Sequence, residues 1–267
     1  MIELTEEQFE CVKPLIPKIE GYLEIKAVIE KNNPGWVFID SYINPQISII
    51  WNKGNGGFYL LGNNITKYPD KINSLIDIQI KQKLASIGED YVEISPVPPV
   101  SNGDIENIFN YRNIYSWEQS VFQYNKNEKI QLLKNDKLCE IKKIFENNKN
   151  IINIDFLKNK ILNYWNSIEI FLAKGDGFCI VKDNMIIALA ITGWMAGKIH
   201  ELSIETLEKY RQKGYAKICS SALINHYLGK GYIPYWECEK ENTPSLKLAE
   251  NFGFNKLYDY LCYGFSI

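Results

Sequence analysis

Residues 204–216 read Ile204-Glu205-Thr206-Leu207-Glu208-Lys209-Tyr210-Arg211-Gln212-Lys213-Gly214-Tyr215-Ala216. The pattern predicts a strand that runs into a loop and then a helix that begins at Tyr215. A helix start exposes backbone N–H groups with no partner inside the helix, and the helix dipole adds positive potential there. Gly214 permits close approach of a ligand to the backbone, and the small Ala216 leaves room for it. The segment therefore predicts an anion site suited to a pyrophosphate.

The commoner phosphate-binding motifs are missing from the sequence. It contains no G-x-x-x-x-G-K-[ST] segment and no G-x-G-x-x-G segment that opens a βαβ unit. Hydrolysis of ATP and binding of a dinucleotide therefore lose their main sequence support.

The elements on both sides of this segment follow a definite order. Upstream, we predict a strand at 138–144, a helix at 155–165 and strands at 177–182, 185–192 and 198–204, with the turn Asp183-Asn184 after the first of these three. Downstream, we predict a helix over 215–228, a strand over 233–238 and a helix opened by Thr243-Pro244 with Thr243 as its N-cap, before aromatic strand-like runs. The second half is thus predicted to hold an antiparallel sheet flanked by helices.

The first half has a pattern of its own. Strands are predicted at 36–40, 47–51 and 57–61 as an antiparallel meander, followed by an amphipathic helix over 71–84 and a strand at 91–95. The Pro96-Val97-Pro98-Pro99 cluster predicts the end of that strand. An Asn- and Lys-rich stretch over 124–136 indicates a boundary, so we predict an N-terminal α/β domain over 1–135 and a second domain over 136–267.

Composition limits the classes of function. The chain has 267 residues, 46% of them hydrophobic, and a formal charge of −2, which is typical of a folded protein and argues against nucleic acid as a partner. The acidic start and the lack of a long apolar run argue against a secretory signal and a membrane partner, so we expect a cytoplasmic protein. Six widely spaced cysteines without a C-x-x-C pair predict reduced thiols and no metal.

The Arg211-x-x-Gly214-x-Ala216 loop between a strand and a helix resembles the acyl-CoA pyrophosphate loop of the GNAT superfamily of N-acetyltransferases. The order of hairpin, motif strand, helix, strand, Asn242, short helix and Gly253-Phe254 is similar to that superfamily over 138–267, which is 130 residues. The runs Pro234-Tyr235-Trp236-Glu237-Cys238 and Asn242-x-x-Ser245 resemble the subfamily that includes the zwittermicin resistance acetyltransferases.

This resemblance implies an α/β (α+β) fold with a mixed, mostly antiparallel sheet flanked by helices. The N-terminal domain is then either a separate α/β fold or a degenerate GNAT-like copy on the substrate side; it has no phosphate-loop signature, so we expect it not to bind CoA. In the second domain the resemblance implies two splayed parallel strands that hold pantetheine. The implied binding residues for acetyl-CoA are Ile204, Thr206, Arg211, Gln212, Lys213, Gly214, Tyr215, Ala216, Asn242 and Ser245.

Transfer of an acyl group to an amine requires a general base. Glu201 is the first candidate, because it lies on the motif strand where many GNAT enzymes place a base; a salt-bridged structural Glu is the alternative. Glu237 on the neighbouring strand is the second candidate. His200 points to the opposite face of the strand from Glu201, and we interpret it as a structural histidine.

The sequence departs from the GNAT pattern at the usual thiolate-protonating Tyr, where it has Ala249. Ser245, one helical turn earlier, is our candidate for a replacement, and it equally suits a helix-terminus role. Tyr260, water, or an unassisted thiolate departure are the remaining alternatives.

Together these observations predict an acyltransferase that moves acetyl from acetyl-CoA to a primary amine of a small molecule, such as an aminated antibiotic or a metabolite, without a metal. A Fem-type tRNA-dependent aminoacyl transferase and a non-catalytic CoA-binding sensor are the alternatives, and a homodimer is kept open beside a monomer. Because the net charge is −2, we expect phosphate binding to depend on one helix terminus and Arg211 without a basic surface.

Overall fold

A computed structural model describes residues 1–17, 21–125, 130–133, 135–146 and 150–267. The elements in chain order are β1 (Ile2–Glu3), α1 (Leu23–Ile29), β2 (Gly35–Ile39), β3 (Ser48–Asn52), β4 (Phe58–Leu61), α2 (Pro69–Leu75), α3 (Lys81–Ser86), β5 (Tyr91–Val97), α4 (Asn102–Ile108), β6 (Tyr115–Gln123), β7 (Leu138–Glu140), α5 (Ile141–Glu146), α6 (Ile154–Tyr164), α7 (Ile168–Lys174), β8 (Gly177–Lys182), β9 (Met185–Ala196), β10 (Ile199–Thr206), α8 (Tyr215–Gly229), β11 (Ile233–Glu239), α9 (Thr243–Phe252) and β12 (Asn255–Ser266). Short 3-10 segments cover Glu6–Leu15, Ile65–Lys67 and Glu208–Tyr210, and a π-helical turn, Ile76–Ile80, joins α2 to α3.

The chain forms two compact units. The first unit comprises residues 1–119, 239–241 and 259–267, and the second comprises 120–238 and 242–258. The predicted boundary after residue 135 therefore lies inside the second unit, and the last residues of the chain belong to the first. The difference arises because β6 and β12 each contribute residues to both units, which local sequence patterns do not reveal. Part of the predicted linker, residues 126–129 and 134, lies outside the described residues.

The first unit has the strand order β1-β2-β3-β4-β5-β12. The predicted meander is confirmed, since β2, β3 and β4 pair antiparallel, whereas β4 and β5 are parallel. The predicted amphipathic helix is confirmed as α2, the π-helical turn and α3. Its apolar residues Ile72, Ile76 and Ile80 are fully buried in one core with strand residues. Each such side chain contributes about 1.5–3 kcal/mol by its burial.

The second unit has the strand order β6-β11-β10-β9-β8-β7. The predicted hairpin is confirmed: β8 and β9 pair antiparallel, and Asp183 and Asn184 both have positive φ, as a tight turn of this kind requires. β10 pairs antiparallel with β9 and parallel with β11. Helix α8 supplies Cys219, Leu223 and Tyr227 to the core of this unit.

The two units have the same element order. In each, a short strand and helices precede a three-stranded antiparallel meander, and a helix then leads to a strand parallel to the last meander strand, a short helix and a final strand. The expected α/β fold with a mostly antiparallel sheet flanked by helices is therefore observed, and the first unit repeats the topology of the second.

Three local predictions need correction. β5 continues through Pro96 to Val97, because β12 pairs with β5 only up to Ile94 and a proline nitrogen needs no partner beyond that point. The strand predicted over 138–144 ends at Glu140, and Ile141 and Ile144, three residues apart, are buried on one face of α5. The N-cap of α9 is Asn242 in place of Thr243, with Asn242 Oδ1 accepting a hydrogen bond from the Ser245 N–H.

A buried carboxylate ties three elements of the second unit together. The side chain of Asp176, 4% exposed, lies 3.0 Å from Lys230 Nζ, 3.0 Å from His226 Nε2 and 3.4 Å from Lys142 Nζ. Burial alone would raise the pKa of this carboxyl, but hydrogen bonds from His226 and Lys230 hold it well below its usual range. Asp176 therefore links β8, α5 and α8 as an anion.

Within the described ranges, no helix is long and apolar enough to cross a membrane.

The Asp176 cluster predicts an acid-sensitive fold. Because the folded pKa lies below the unfolded value near 4, the carboxylate stabilises the fold above about pH 4, and this contribution is lost as the pH falls. Asp176→Asn should lower the free energy of unfolding at pH 7 by about 3 kcal/mol and flatten its acid dependence. Urea unfolding at several pH values measures both effects.

Glu10→Gln, which breaks an exposed pair with Lys13, should change stability by less than about 0.5 kcal/mol and serves as the control. Equal losses in the two variants would contradict the assignment.

Candidate active site

The strands β10 and β11 separate after a short paired stretch. Among the described residues, their parallel pairing joins Ile199 to Ile233, His200 to Pro234 and Glu201 to Tyr235, yet β10 continues to Thr206 and β11 to Glu239. From Leu202 onward β10 stays paired with β9 on its other edge. The second unit therefore has a wedge between two strands, with strand backbone available along it.

A bulge lies where the wedge begins. His200 pairs with Met195 of β9 and Leu202 pairs with Thr192, so the single residue Glu201 lies opposite two residues, Gly193 and Trp194. Bulges bend a strand and increase its twist. The bulge coincides with the position at which β10 departs from its parallel neighbour.

The predicted phosphate loop lies between the end of β10 and the start of α8. Gly214 is the N-cap of α8 in the left-handed conformation, φ 79°, and no heavy atom lies within 4 Å of the position a Cβ would occupy. Gln212 also has a positive φ of 59°. The Arg211 Nε donates to the Thr206 carbonyl at 3.3 Å. The start of α8 therefore has open space beside Gly214 and no side-chain cap.

The loop carries more positive charge than the net charge suggested. The ammonium groups of Lys209, Lys213 and Lys182 lie 5.1, 5.4 and 5.9 Å from the centre of the Tyr210 ring. Lys182 comes from β8, so sequence spacing did not place it here. The expectation that phosphate binding depends on one helix terminus and Arg211 left these lysines out. Lys209 and Lys213 belong to the loop itself, and the fold adds Lys182 from β8.

The wedge lies at the strand residues that the GNAT resemblance assigns to pantetheine. Thr206 Oγ1 is buried at the end of β10 and makes no hydrogen bond within the described residues. Ile204 and Thr206 line the part of β10 beyond its pairing with β11. In the first unit the matching strands β4 and β5 stay paired from Phe58 to Leu61, and the Gly62 N–H bonds to the Val97 carbonyl at 3.1 Å. The described strands β4 and β5 therefore form no corresponding wedge.

Asn242 and Ser245 both serve the start of α9. Besides the cap already described, Ser245 Oγ accepts a hydrogen bond from Trp236 Nε1 at 3.0 Å. Trp236 and Glu237 are adjacent on β11, so their side chains point to opposite faces. Ser245 thus lies on the Trp236 face and away from Glu237. Ala249 is fully buried in the core.

Glu201 has an unusual environment for a carboxyl group. Its side chain is buried, and Oε2 accepts a hydrogen bond from the Trp194 N–H at 3.2 Å. Burial, and to a smaller extent the charge of Glu237, raise the pKa of Glu201 to about 8, although the Trp194 N–H and Lys160 both act to lower it. The group is therefore half-ionised near pH 8 and mostly protonated at pH 7.

The structure places Glu237 of β11 close enough to Glu201 of β10 for its charge to raise the pKa of Glu201. It also adds residues that sequence patterns missed. Lys160 of α6 lies 3.4 Å from the Glu205 carboxylate, and Tyr164 meets Trp194 edge to face with ring centres 5.2 Å apart. Lys160 and Tyr164 are far from Glu201 in sequence, so sequence patterns did not reveal these contacts. The one sequence signal for the bulge was a glycine, Gly193, inside a predicted strand.

His200 packs on the other side of β10. Its ring stacks on Tyr232 at 4.0 Å and meets Tyr227 of α8 at 5.3 Å. Burial lowers the pKa of His200 to about 4, so the ring is neutral at physiological pH. The predicted structural role of His200 agrees with this environment. Nowhere in the described residues do three or more His, Cys, Asp or Glu side chains group to hold a metal ion.

Comparisons with known proteins agree with this geometry. The sequence profile of the GNAT acetyltransferase family matches residues 13–263. The uncharacterized N-acetyltransferase YdfB of Bacillus subtilis (strain 168) is 23% identical over 264 residues, covering 98% of this chain and 97% of that protein.

Solved structures share the fold. A GCN5-related N-acetyltransferase-like protein from Streptococcus suis 89/1591 superposes with a TM-score of 0.65 at 18% identity, covering 97% of this chain and 98% of that one. A tandem GNAT protein from the clavulanic acid biosynthesis pathway gives 0.53 at 6% identity, covering 98% and 93%. Since the family profile spans nearly the whole chain, including most of both units, this protein belongs to the GNAT acetyltransferase family and is an acyltransferase.

Proposed function

We propose that this protein transfers the acetyl group of acetyl-CoA to a primary amine of a small molecule by direct attack of the amine nitrogen. Family membership supports acetyl transfer and acetyl-CoA as the donor. The observation that supports an amine as the acceptor is the state of Glu201, a buried carboxyl group with a pKa of about 8 at the point where β10 and β11 separate.

Glu201 is suited to take the proton of an ammonium group. Proton transfer is most efficient when the pKa of the base lies close to the operating pH, and burial tunes carboxyl groups to that range. An unperturbed Glu, with a pKa near 4.3, would accept this proton far less readily. We therefore assign Glu201 as the general base, directly or through one water molecule, and Glu237 as the neighbour whose charge raises its pKa.

The surroundings of Glu201 suit a cationic acceptor. Glu237 and Glu205 place carboxyl groups near Glu201, and Lys160 pairs with Glu205 at 3.4 Å. Opposite charge raises the local concentration of an amine in its protonated form. The rings of Tyr164 and Trp194 provide an apolar wall beside the base.

The donor is assigned to the loop and the wedge. The segment of Arg211, Gln212, Lys213, Gly214, Tyr215 and Ala216 offers unpaired amides and positive charge to a pyrophosphate. The backbone of Ile204 and Thr206 offers strand-like hydrogen bonds to pantetheine, and Asn242 lies beyond them at α9. When bound, acetyl-CoA supplies the activated carbonyl carbon.

Ser245 remains our candidate donor to the departing thiolate. Its oxygen accepts from Trp236 Nε1 and its own hydroxyl hydrogen is still a donor. Because Ser245 also lies in the first turn of α9, it has a structural role that is independent of chemistry.

Binding of the donor is expected to depend on Gly214. Gly214→Trp places a large side chain over the first-turn amides, so isothermal titration should show acetyl-CoA affinity at least 10-fold weaker, and the unaltered protein should bind one molecule per chain. Gly231→Trp is the matched control: Gly231 follows the other end of α8 with φ 74° and has the same open surroundings. Equal affinity in both variants, or two sites per chain, would contradict the assignment.

The pH dependence of the rate is expected to report Glu201. Since only the carboxylate accepts a proton, kcat/KM should rise with pH and level off above about 8, the pKa of Glu201. Glu201→Gln should lower kcat by about 100-fold or more and leave acetyl-CoA affinity unchanged. Steady-state kinetics with a panel of amines measures both, and a variant with the full rate would remove Glu201 from the mechanism.

Glu237 is expected to set the position of that pH transition. Because the charge of Glu237 raises the pKa of Glu201, Glu237→Gln should move the midpoint of the kcat/KM profile to lower pH. Glu239→Gln, on the same strand and exposed, should leave the midpoint in place. If the midpoint follows the pKa of the amine substrate and is the same with and without Glu237→Gln, the transition belongs to the substrate.

A further inference from the structure

Gly193 interrupts the most buried strand of the second unit. The residues on both sides of it in β9, from Ile186 to Trp194, are buried. Glycine weakens a strand interior, because it loses more conformational entropy on folding and has no side chain to pack. Its φ is outside the left-handed region. The backbone conformation therefore does not require glycine here.

The space around Gly193 gives the reason. A Cβ at this position would overlap Glu201 Oε2, and it would lie 3.2 Å from Glu201 Cδ and 3.1 Å from Tyr164 Cε1. The Glu201 carboxyl group therefore occupies the place where every other residue carries its first side-chain atom.

The bulge completes this arrangement. Because Gly193 and Trp194 together face Glu201, the Trp194 N–H points at the carboxyl oxygen and donates to it at 3.2 Å. In a regular antiparallel ladder this N–H would bond to a backbone carbonyl of the neighbouring strand. Gly193 supplies the room, and Trp194 supplies the hydrogen bond.

We propose that Gly193 is a positioning residue, whose missing side chain lets the Glu201 carboxyl lie against the β9 backbone in the orientation that acetyl transfer needs. This inference depends on the proposed role of Glu201 as the general base. An alanine at position 193 pushes the Glu201 carboxyl group out of this place and breaks its hydrogen bond to the Trp194 N–H. The residues of the loop and the wedge, which are proposed to hold the donor, are unchanged in this variant.

The test is a double-mutant cycle on kcat/KM with acetyl-CoA and the best amine of the panel. Gly193→Ala should lower kcat/KM at least 30-fold in the unaltered protein and less than 3-fold in the Glu201→Gln background, because the displaced base is already absent there. Acetyl-CoA affinity by titration should stay within 2-fold. Gly229→Ala is the matched control, since no atom lies near its Cβ position, and it should stay within 2-fold in every measurement.

The outcomes separate the two hypotheses. If Glu201→Gln itself keeps full activity, the proposed function of Glu201 fails. The positioning role is overturned if Glu201→Gln is impaired but Gly193→Ala keeps full activity. It is also overturned if Gly193→Ala lowers kcat/KM by the same factor with Glu201 and with Gln at position 201. Should Gly193→Ala not fold, the overlap with Glu201 predicts that Gly193→Ala/Glu201→Ala folds as well as Glu201→Ala, as judged by thermal unfolding. An unfolded double variant would overturn the proposal.

Discussion

The separation of β10 from β11 is the constraint on which the rest of the second unit depends. Two parallel strands normally pair their backbone groups along their whole length. Here β10 and β11 pair at three positions, and both strands then continue without pairing to each other. Unpaired backbone in a folded interior is costly, so the backbone groups along this opening need hydrogen-bond partners from water or a ligand. The bulge of β9 against Glu201 lies at the last paired position, which links the bend of the sheet to the location of the carboxyl group.

The first unit shows what happens without this opening. Its strands β4 and β5 follow the same topology and remain hydrogen-bonded through Leu61 and Val97, and one further bond from Gly62 closes the end. The same succession of elements therefore produces a wedge in one unit and a continuous sheet in the other. A shared topology fixes the path of the chain, whereas the pairing of one strand pair decides whether the sheet opens there.

Electrostatics in the second unit follow from burial more than from net charge. Asp176 and Glu201 are both buried carboxyl groups, but Asp176 contacts two ammonium groups and an imidazole and stays ionised. Glu201 contacts one backbone N–H, with another carboxyl nearby, and its pKa rises to about 8. Two groups of the same chemistry thus differ in charge at neutral pH: Asp176 is ionised, and Glu201 is mostly protonated.

The sequence alone determined the strand, loop and helix order around Arg211-x-x-Gly214-x-Ala216 and the hairpin at Asp183-Asn184, because these depend on local periodicity and turn chemistry. The family resemblance of the motif strand added Glu201 as a candidate base. The sequence did not determine that β6 and β12 contribute to both units, that Lys182 joins Lys209 and Lys213 around Tyr210, or that Gly193 and Trp194 face Glu201. Those features depend on contacts between residues far apart in sequence. The pKa of Glu201 belongs to the same class, since only the tertiary structure removes water from a carboxyl group and sets a second one beside it.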